Sequence, residues 1–199
     1  MERFAFTDAN GNALYIASPA IDGVYTDGQV INGQTARLLP ENTLDNLTLI
    51  NTYYFKDGWK VRAPRPGQYY NWNNVSEQWV ADLEKARTTK NSIINLALIT
   101  ANQSGFTYGN SRIASDPLSR SHIDAVNGYV SVFNKLPKGW LGTWKTEAGT
   151  ELSIPNAVAW KQLYGAMVNQ IQANFVKAEQ LKDTVAAATT IEEIEAVSW

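Results

Sequence analysis

Residues 152–199 read LSIPNAVAWKQLYGAMVNQIQANFVKAEQLKDTVAAATTIEEIEAVSW, from Leu152 to Trp199. Trp160, Leu163, Met167, Ile171, Phe175, Ala178, Leu181 and Val185 recur there at spacings of three and four. With 3.6 residues per turn, that spacing puts them on one face of a long helix. Ser153 stands where an N-cap would, with Pro155 in the first turn, where a missing N–H costs little. Thr190 opens a second, short helix. Its hydroxyl is placed to accept from the Glu193 amide, and the Glu193 carboxylate to reach back, as in a capping box. Glu192 and Glu193 also suit the positive end of that helix.

A long one-sided helix needs a cover, and the residues upstream must supply it. Asp82 stands ahead of a helix carrying Leu83, Ala86, Lys90, Ile93, Ile94, Ala97 and Leu98, which ends near Asn102 to Ser104. Phe106-Thr107-Tyr108, Gly109-Asn110 and Arg112-Ile113 read as a short hairpin. Asp116-Pro117 starts another helix with Leu118, Ile123, Val126, Val130 and Phe133 facing inward. Thr143 to Lys145 and Glu151-Leu152 form a second hairpin around Glu147-Ala148-Gly149.

Residues 1–82 have a different character. Phe4 and Phe6 alternate with polar or small residues, and a turn through Ala9-Asn10-Gly11-Asn12 leads back to Leu14-Tyr15-Ile16. Val24-Tyr25 and Val30-Ile31 repeat the pattern around Asp27-Gly28, and Asn32-Gly33 turns again. Residues 38–46, with Pro40, read as a connecting loop. Leu47 to Phe55 reads as a strand, returning through Lys56-Asp57-Gly58 to Trp59 to Arg62, where Pro64 and Pro66 stop it. Tyr69 to Trp72 and Gln78 to Val80 make a last hairpin. The fold class expected is α+β: a β-rich, partner-binding domain over 1–82, then a mainly helical domain with short hairpins over 83–199.

A chain of 199 residues buries roughly 70% of its unfolded surface, so its core needs no metal or disulfide. It has no cysteine, which removes thiolate chemistry. A net charge of −2 gives no long-range field for nucleic acid. The opening MERFAFTDANGN has no apolar core of a signal peptide, and no apolar run reaches the length of a membrane span. The expectation is a soluble protein made inside the cell, with no nucleic acid and no membrane among its partners.

Catalytic constellations are absent from the pattern. The single histidine, His122, sits inside an expected helix, and Ser119, Ser121 and Asp124 are only its sequence neighbours. Ser121 and Asp124, one and two residues from it on a helix, do not face it. Asp8, Asn10 and Asn12 have the spacing of a calcium loop, but Ala13 and Pro19 stand where its glycine and final acid belong. No phosphate loop and no Cys/His cluster occurs. Asp45, Asp57, Glu77 and Asp82 lie near aromatics, and turn or cap roles account for at least two of them. The chain reads as a non-enzyme with no cofactor and no metal.

Aromatic side chains crowd residues 53–79: Tyr53, Tyr54, Phe55, Trp59, Tyr69, Tyr70, Trp72 and Trp79. Consecutive aromatics on a strand must point to both faces. One face can be core; the other needs a helix, a partner chain or a ligand. Lys56, Lys60, Arg62 and Arg65 are interleaved with them. Such a basic, aromatic pair of strands could stack on single-stranded nucleic acid, but the first 82 residues hold nine acids against six bases, a sum of −3. Tyr54, Trp59, Arg62, Tyr70, Trp72 and Trp79 are the candidate partner-binding residues.

GFTYGNSRIASDPLSRSHID, WKTEAGTELSIPNAVAW and NFVKAEQLKDTVAAATTIEEIEAV together resemble the DUF4376 family, found in proteins of the tail and tail-fibre region of tailed phages and prophages. Ser115, Asp116, Arg120, Trp144, Lys145, Gly149 and Glu193 stand at the matching positions of that layout. YYNWNNVSEQWV, earlier in the chain, is similar to the tyrosine-rich, tryptophan-closed hairpin of phage tail-fibre assembly proteins. The resemblance implies a phage tail protein that binds a tail fibre or baseplate protein, either as a virion component or as a fibre assembly chaperone. It would be located in the virion tail or in the host cytoplasm during assembly, with further copies of itself among its candidate partners. The alternative is a receptor- or glycan-binding module at a fibre tip, which requires exposed, coplanar rings with Asp or Asn beside them. An enzyme acting on surface polysaccharide would need two cleft-lining carboxylates without a structural role.

Overall fold

The computed structural model describes residues 3–17, 25–39 and 44–199. The fold is mixed α+β: small antiparallel sheets first, then a mainly helical part with short hairpins. The chain divides into two compact units, Met1–Asp82 and Leu83–Trp199.

In the first unit, β1 (Phe4–Thr7), β2 (Ala13–Ile16), β3 (Val30–Ile31) and β4 (Gln34–Leu38) form an antiparallel sheet in the order β2-β1-β4-β3. β1 is central, and its alternation feeds two cores. Ala5 packs with Ala13, Leu39, Leu44 and Leu49 on one face. Phe6 packs with Ala17 and Ala36 on the other, where Tyr25 meets it edge-on at 5.2 Å. Val24, paired with Tyr25 in the sequence reading, and Pro40 lie outside the described residues, and Tyr25 itself is not in a strand. Leu38, assigned to the connecting loop, instead ends β4, which pairs with β1 from Phe4↔Leu38 to Thr7↔Thr35.

The expected strand over Leu47 to Phe55 is a helix, α1 (Asn46–Thr52), followed by a short strand, β5 (Tyr53–Phe55). The cause is local. Asp45 accepts from the Thr48 amide at 2.8 Å and from the Thr48 hydroxyl at 2.9 Å, which nucleates a helix. Of the leucines in the segment read as a strand, Leu49 is fully buried and Leu47 is 72% exposed. β6 (Trp59–Val61) returns against β5. β7 (Tyr70–Asn73) and β8 (Gln78–Ala81) form a separate hairpin.

The second unit is built on the long helix. α2 (Leu83–Gln103), β9 (Phe106–Tyr108), β10 (Ser111–Ile113), α3 (Pro117–Phe133), β11 (Thr143–Lys145) and β12 (Glu151–Ser153) precede α4 (Ala157–Ala187) and α5 (Ile191–Ala196). α2, α3, β9 and α5 all pack against α4. Its N-terminal half carries Trp160, Leu163 and Met167 into a core with Phe106, Ile113, Ile123, Val130 and Ile154. Trp140 and Trp144 stack at 6.1 Å, and both meet Trp160 edge-on, at 5.4 and 5.2 Å.

Three details differ from the sequence reading. Asn156, not Ser153, caps α4, accepting from the Ala159 amide at 3.0 Å; Ser153 is committed to β12. Asn174, not Phe175, takes the inward position midway along α4, and Phe175 is 49% exposed. Leu118 and Phe133, both assigned inward, are exposed, as is Ile93 on α2. Periodicity locates a face only to within a residue, and the hydrogen bonds open to Asn174 decide which neighbour turns in. α5 has the capping box read from its sequence, with Thr190 and Glu193 exchanging side-chain-to-backbone bonds.

Candidate functional site

The first unit contains an open cleft of about 770 Å³. Its walls are the C-terminal turn of α1, the extended segment after β6, and the β7–β8 hairpin. Each wall is held by side chains with a second role. The indole N–H of Trp79 donates to the Ala63 carbonyl at 2.7 Å, pinning the extended segment to the hairpin. Arg62 donates through Nη1 to the Ile50 carbonyl at the end of α1 and through Nη2 to Asn12 Oδ1 at 3.4 Å. A cation on the last carbonyls of a helix is favoured by their unsatisfied lone pairs. Arg65 donates through Nε (3.1 Å) and Nη2 (2.8 Å) to the Tyr70 carbonyl and through Nη2 to that of Gln68 at 3.0 Å, fixing the loop before β7.

Four of the six candidate residues, Arg62, Tyr70, Trp72 and Trp79, line this cleft. Trp72 and Trp79 pair across the hairpin with ring centroids 5.3 Å apart and planes at 71°. The Arg62 guanidinium lies 6.0 Å from the Trp72 ring centre, and Arg65 lies 5.5 Å from that of Trp79. The other two candidates are elsewhere. Tyr54 is buried and packs against the Trp72 ring at 5.1 Å. Trp59 packs on the core under α1, its indole N–H donating to the Leu38 carbonyl at 2.6 Å. Both anchor sheets, and neither lines the cleft.

The four basic residues of the sequence patch separate into two pairs. Lys56 and Lys60 both bind Glu77, at 3.0 and 2.9 Å. The Lys60 bond, then that of Lys56, holds the Glu77 carboxyl well below its ordinary range, at about 2, and Glu77 in turn raises Lys60. Arg62 and Arg65 have no carboxylate at ion-pair distance among the described residues. Burial pulls the Arg62 guanidinium below its usual range, opposed by more distant charge on Tyr54 and Asp8. Asn12 stands between Arg62 and Asp8, accepting from the first and donating to the second. The indole N–H of Trp72 and Nε of Arg62 are buried without a hydrogen-bond partner among the described residues.

Sequence reasoning missed Asn12 and residues 50–52 as cleft residues. The Asp45-Xaa-Xaa-Thr48 cap was the signal that would have turned 46–52 into a helix and brought its end to the cleft. Asp8 is a turn residue: its carboxylate accepts from the Asn10 and Asn12 amides, each at 2.9 Å. His122 is exposed on α3, and Asp116 nearby accepts from the Ser119 hydroxyl and the Leu118 and Ser119 amides as that helix's cap. Among the described residues, no three His, Cys, Asp or Glu side chains gather as a metal site, and no helix is long and apolar enough to cross a membrane.

Comparison with curated proteins and with solved structures returns no match. A family model described as "Domain of unknown function (DUF4376)" matches residues 85–198, which span the helical unit almost end to end and make up more than half of the sequence. The chain therefore belongs to the DUF4376 family.

Proposed function

We propose that this protein is a non-enzymatic, tail-associated phage protein that docks a tail-fibre or baseplate protein through the cleft of its first unit, as a virion component or as a fibre assembly chaperone. The observation that carries the docking role is the cleft itself: Arg62, Tyr70, Trp72 and Trp79 converge on one open concavity. Tyr, Trp and Arg are the side chains that most often anchor protein interfaces. The phage context is supported by the resemblance of the tyrosine- and tryptophan-rich hairpin and of the C-terminal segments to tail-region proteins. A sugar platform of coplanar rings is less well served, since Trp72 and Trp79 stand at 71° and a guanidinium lies near each ring.

The test is quantitative mass spectrometry on particles and on soluble complexes isolated through a tag on the full chain in its own host. Stoichiometric copies in mature particles identify a structural component. Recovery with a fibre or baseplate protein in lysate, but not in particles, identifies a chaperone. Recovery with neither overturns the proposal.

A further inference from the structure

We infer that the cleft takes an acidic segment of a partner protein, with Asp or Glu side chains seated on Arg62 and Arg65 and apolar atoms on Trp72 and Trp79. This rests on the docking role proposed above and names the chemistry of what docks. Charge is the first ground. Among the described residues, the cleft lining contains two arginines and no Asp or Glu. Lys56 and Lys60 share Glu77, so of the four basic residues interleaved with the aromatics the two guanidiniums are those left without a carboxylate at ion-pair distance among the described residues.

Preorganisation is the second ground. Backbone acceptors already fix both guanidiniums: Ile50 holds Arg62, and Gln68 and Tyr70 hold Arg65. With the bond from Arg62 Nη2 to Asn12 Oδ1, these use Nη1 and Nη2 of Arg62, and Nε and Nη2 of Arg65. Nη1 of Arg65 therefore has both protons available. A planar fork held in place before binding loses little rotamer entropy when a carboxylate arrives. Such charge-assisted bonds are about twice as strong as neutral ones.

The alternative anion is a nucleic acid backbone. It would require a track of cations, but Lys56 and Lys60 are both engaged by Glu77, which cancels one of their two charges, and the first 82 residues sum to −3. A carboxylate pair on a short segment fits two isolated guanidiniums better than a polyanion does.

The experiment selects a yeast-displayed library of random dodecapeptides on the full chain, with oligo-dT as competitor. Enriched peptides are then synthesised with each Asp or Glu replaced by Asn or Gln, which leaves the protein untouched. The expected result is enrichment of paired acidic residues beside an apolar one, about tenfold weaker binding after neutralisation, a similar loss in the exposed Arg65→Gln variant, and weakening with salt. Arg62 also holds α1 and Arg65 also holds the loop before β7, so the neutralised peptides, which leave both in place, carry the test and Arg62→Gln is a secondary variant. No enrichment, neutral or basic enriched peptides, indifference to Arg65→Gln, or displacement by oligo-dT would overturn the inference. A fibre protein held equally well by wild type and Arg65→Gln would sink the acidic assignment alone. Acidic peptides bound by a chain that recovers no tail protein would sink the tail reading alone.

Discussion

Asn174 Nδ2 donates to Asn102 Oδ1 across 2.9 Å, joining the middle of α4 to the last turn of α2. Gln170 donates to Asn174 Oδ1 at 3.0 Å, and the Ser115 hydroxyl donates to the Asn102 carbonyl at 2.7 Å while accepting from the Gly105 amide. This polar network sits in the slot that apolar periodicity assigned to Phe175. Asn174→Ala leaves the Asn102 oxygen without its donor, and a loss of about 1–3 kcal/mol is expected. Urea unfolding of the full chain, read by helical circular dichroism, measures it. Phe175→Ala, at an exposed site, should cost much less; equal costs would mean that the network contributes nothing.

Trp160 is fully buried, and its indole N–H has no partner. Truncation to Ala is expected to cost about 3–5 kcal/mol. Trp160→Phe removes ring volume but no hydrogen bond, so it should fall well below that. Denaturant midpoints of the two variants decide the matter, and a Phe variant as unstable as the Ala variant would refute it.

Gly11 has a φ of +79°, and a Cβ there would run into the Phe55 carbonyl oxygen. That approach exists because the Phe55 amide donates to the Gly11 carbonyl at 2.9 Å, tying the β1–β2 turn to β5. Gly11→Ala should cost about 1–3 kcal/mol from the backbone conformation alone, before the clash is added. Gly33, also at φ +79° but with nothing within 4 Å, supplies the control. Thermal unfolding should place Gly11→Ala clearly below Gly33→Ala.

Glu77 links Lys56 and Lys60, on and beside β5 and β6, to the turn between β7 and β8. Its carboxyl is lowered from 4.5 to about 2. A depressed acid stabilises the folded state above its unfolded pKa and loses that contribution as pH falls through its folded pKa. The Glu77 contribution is therefore expected to be complete above about pH 4.5 and to fade towards pH 2. Carboxyl NMR titration reads it directly. The site is exposed, so high salt should move the titration upward; a salt-independent midpoint near 4.5 would refute the pairing.

Trp72 lines the cleft, whereas Trp160 lies in the helical core. With stability matched by temperature, Trp72→Ala should reduce recovery of the docked protein severalfold, and Trp160→Ala should leave it near wild type. If Trp72→Ala only unfolds the unit, with no loss of binding by the folded fraction, Trp72 belongs to the core.

Much of the helical unit was legible because its signals are local and redundant. The cap at Asp116, the capping box at Thr190 and Glu193, and the 160-163-167 spacing all agree with one another. The β unit was harder. Leu47 and Leu49 alternate as a strand would, and only the Asp45–Thr48 bonds turn the segment into a helix. Composition flagged the aromatic region, but not which rings anchor sheets. Tyr54 and Trp59 are the same residue types as Tyr70 and Trp79, and only the hairpin pairing separates them. The split of the basic patch depends on Glu77, which lies 17 residues from Lys60 and was not readable as its partner.

The 31-residue α4, about 46 Å long, serves two sets of neighbours at once. Trp160 and Met167 face the core with the hairpins, and Ala178 and Val185 lie on its far half. Inserting one residue between Met167 and Asn174 would rotate one half against the other by about 100°, turning one set of buried side chains to solvent. Adding two whole turns would restore the angle but slide the halves apart. The length of this helix is therefore fixed by its packing, and natural length variation in such chains should fall in the stretch between α3 and β11, not within α4.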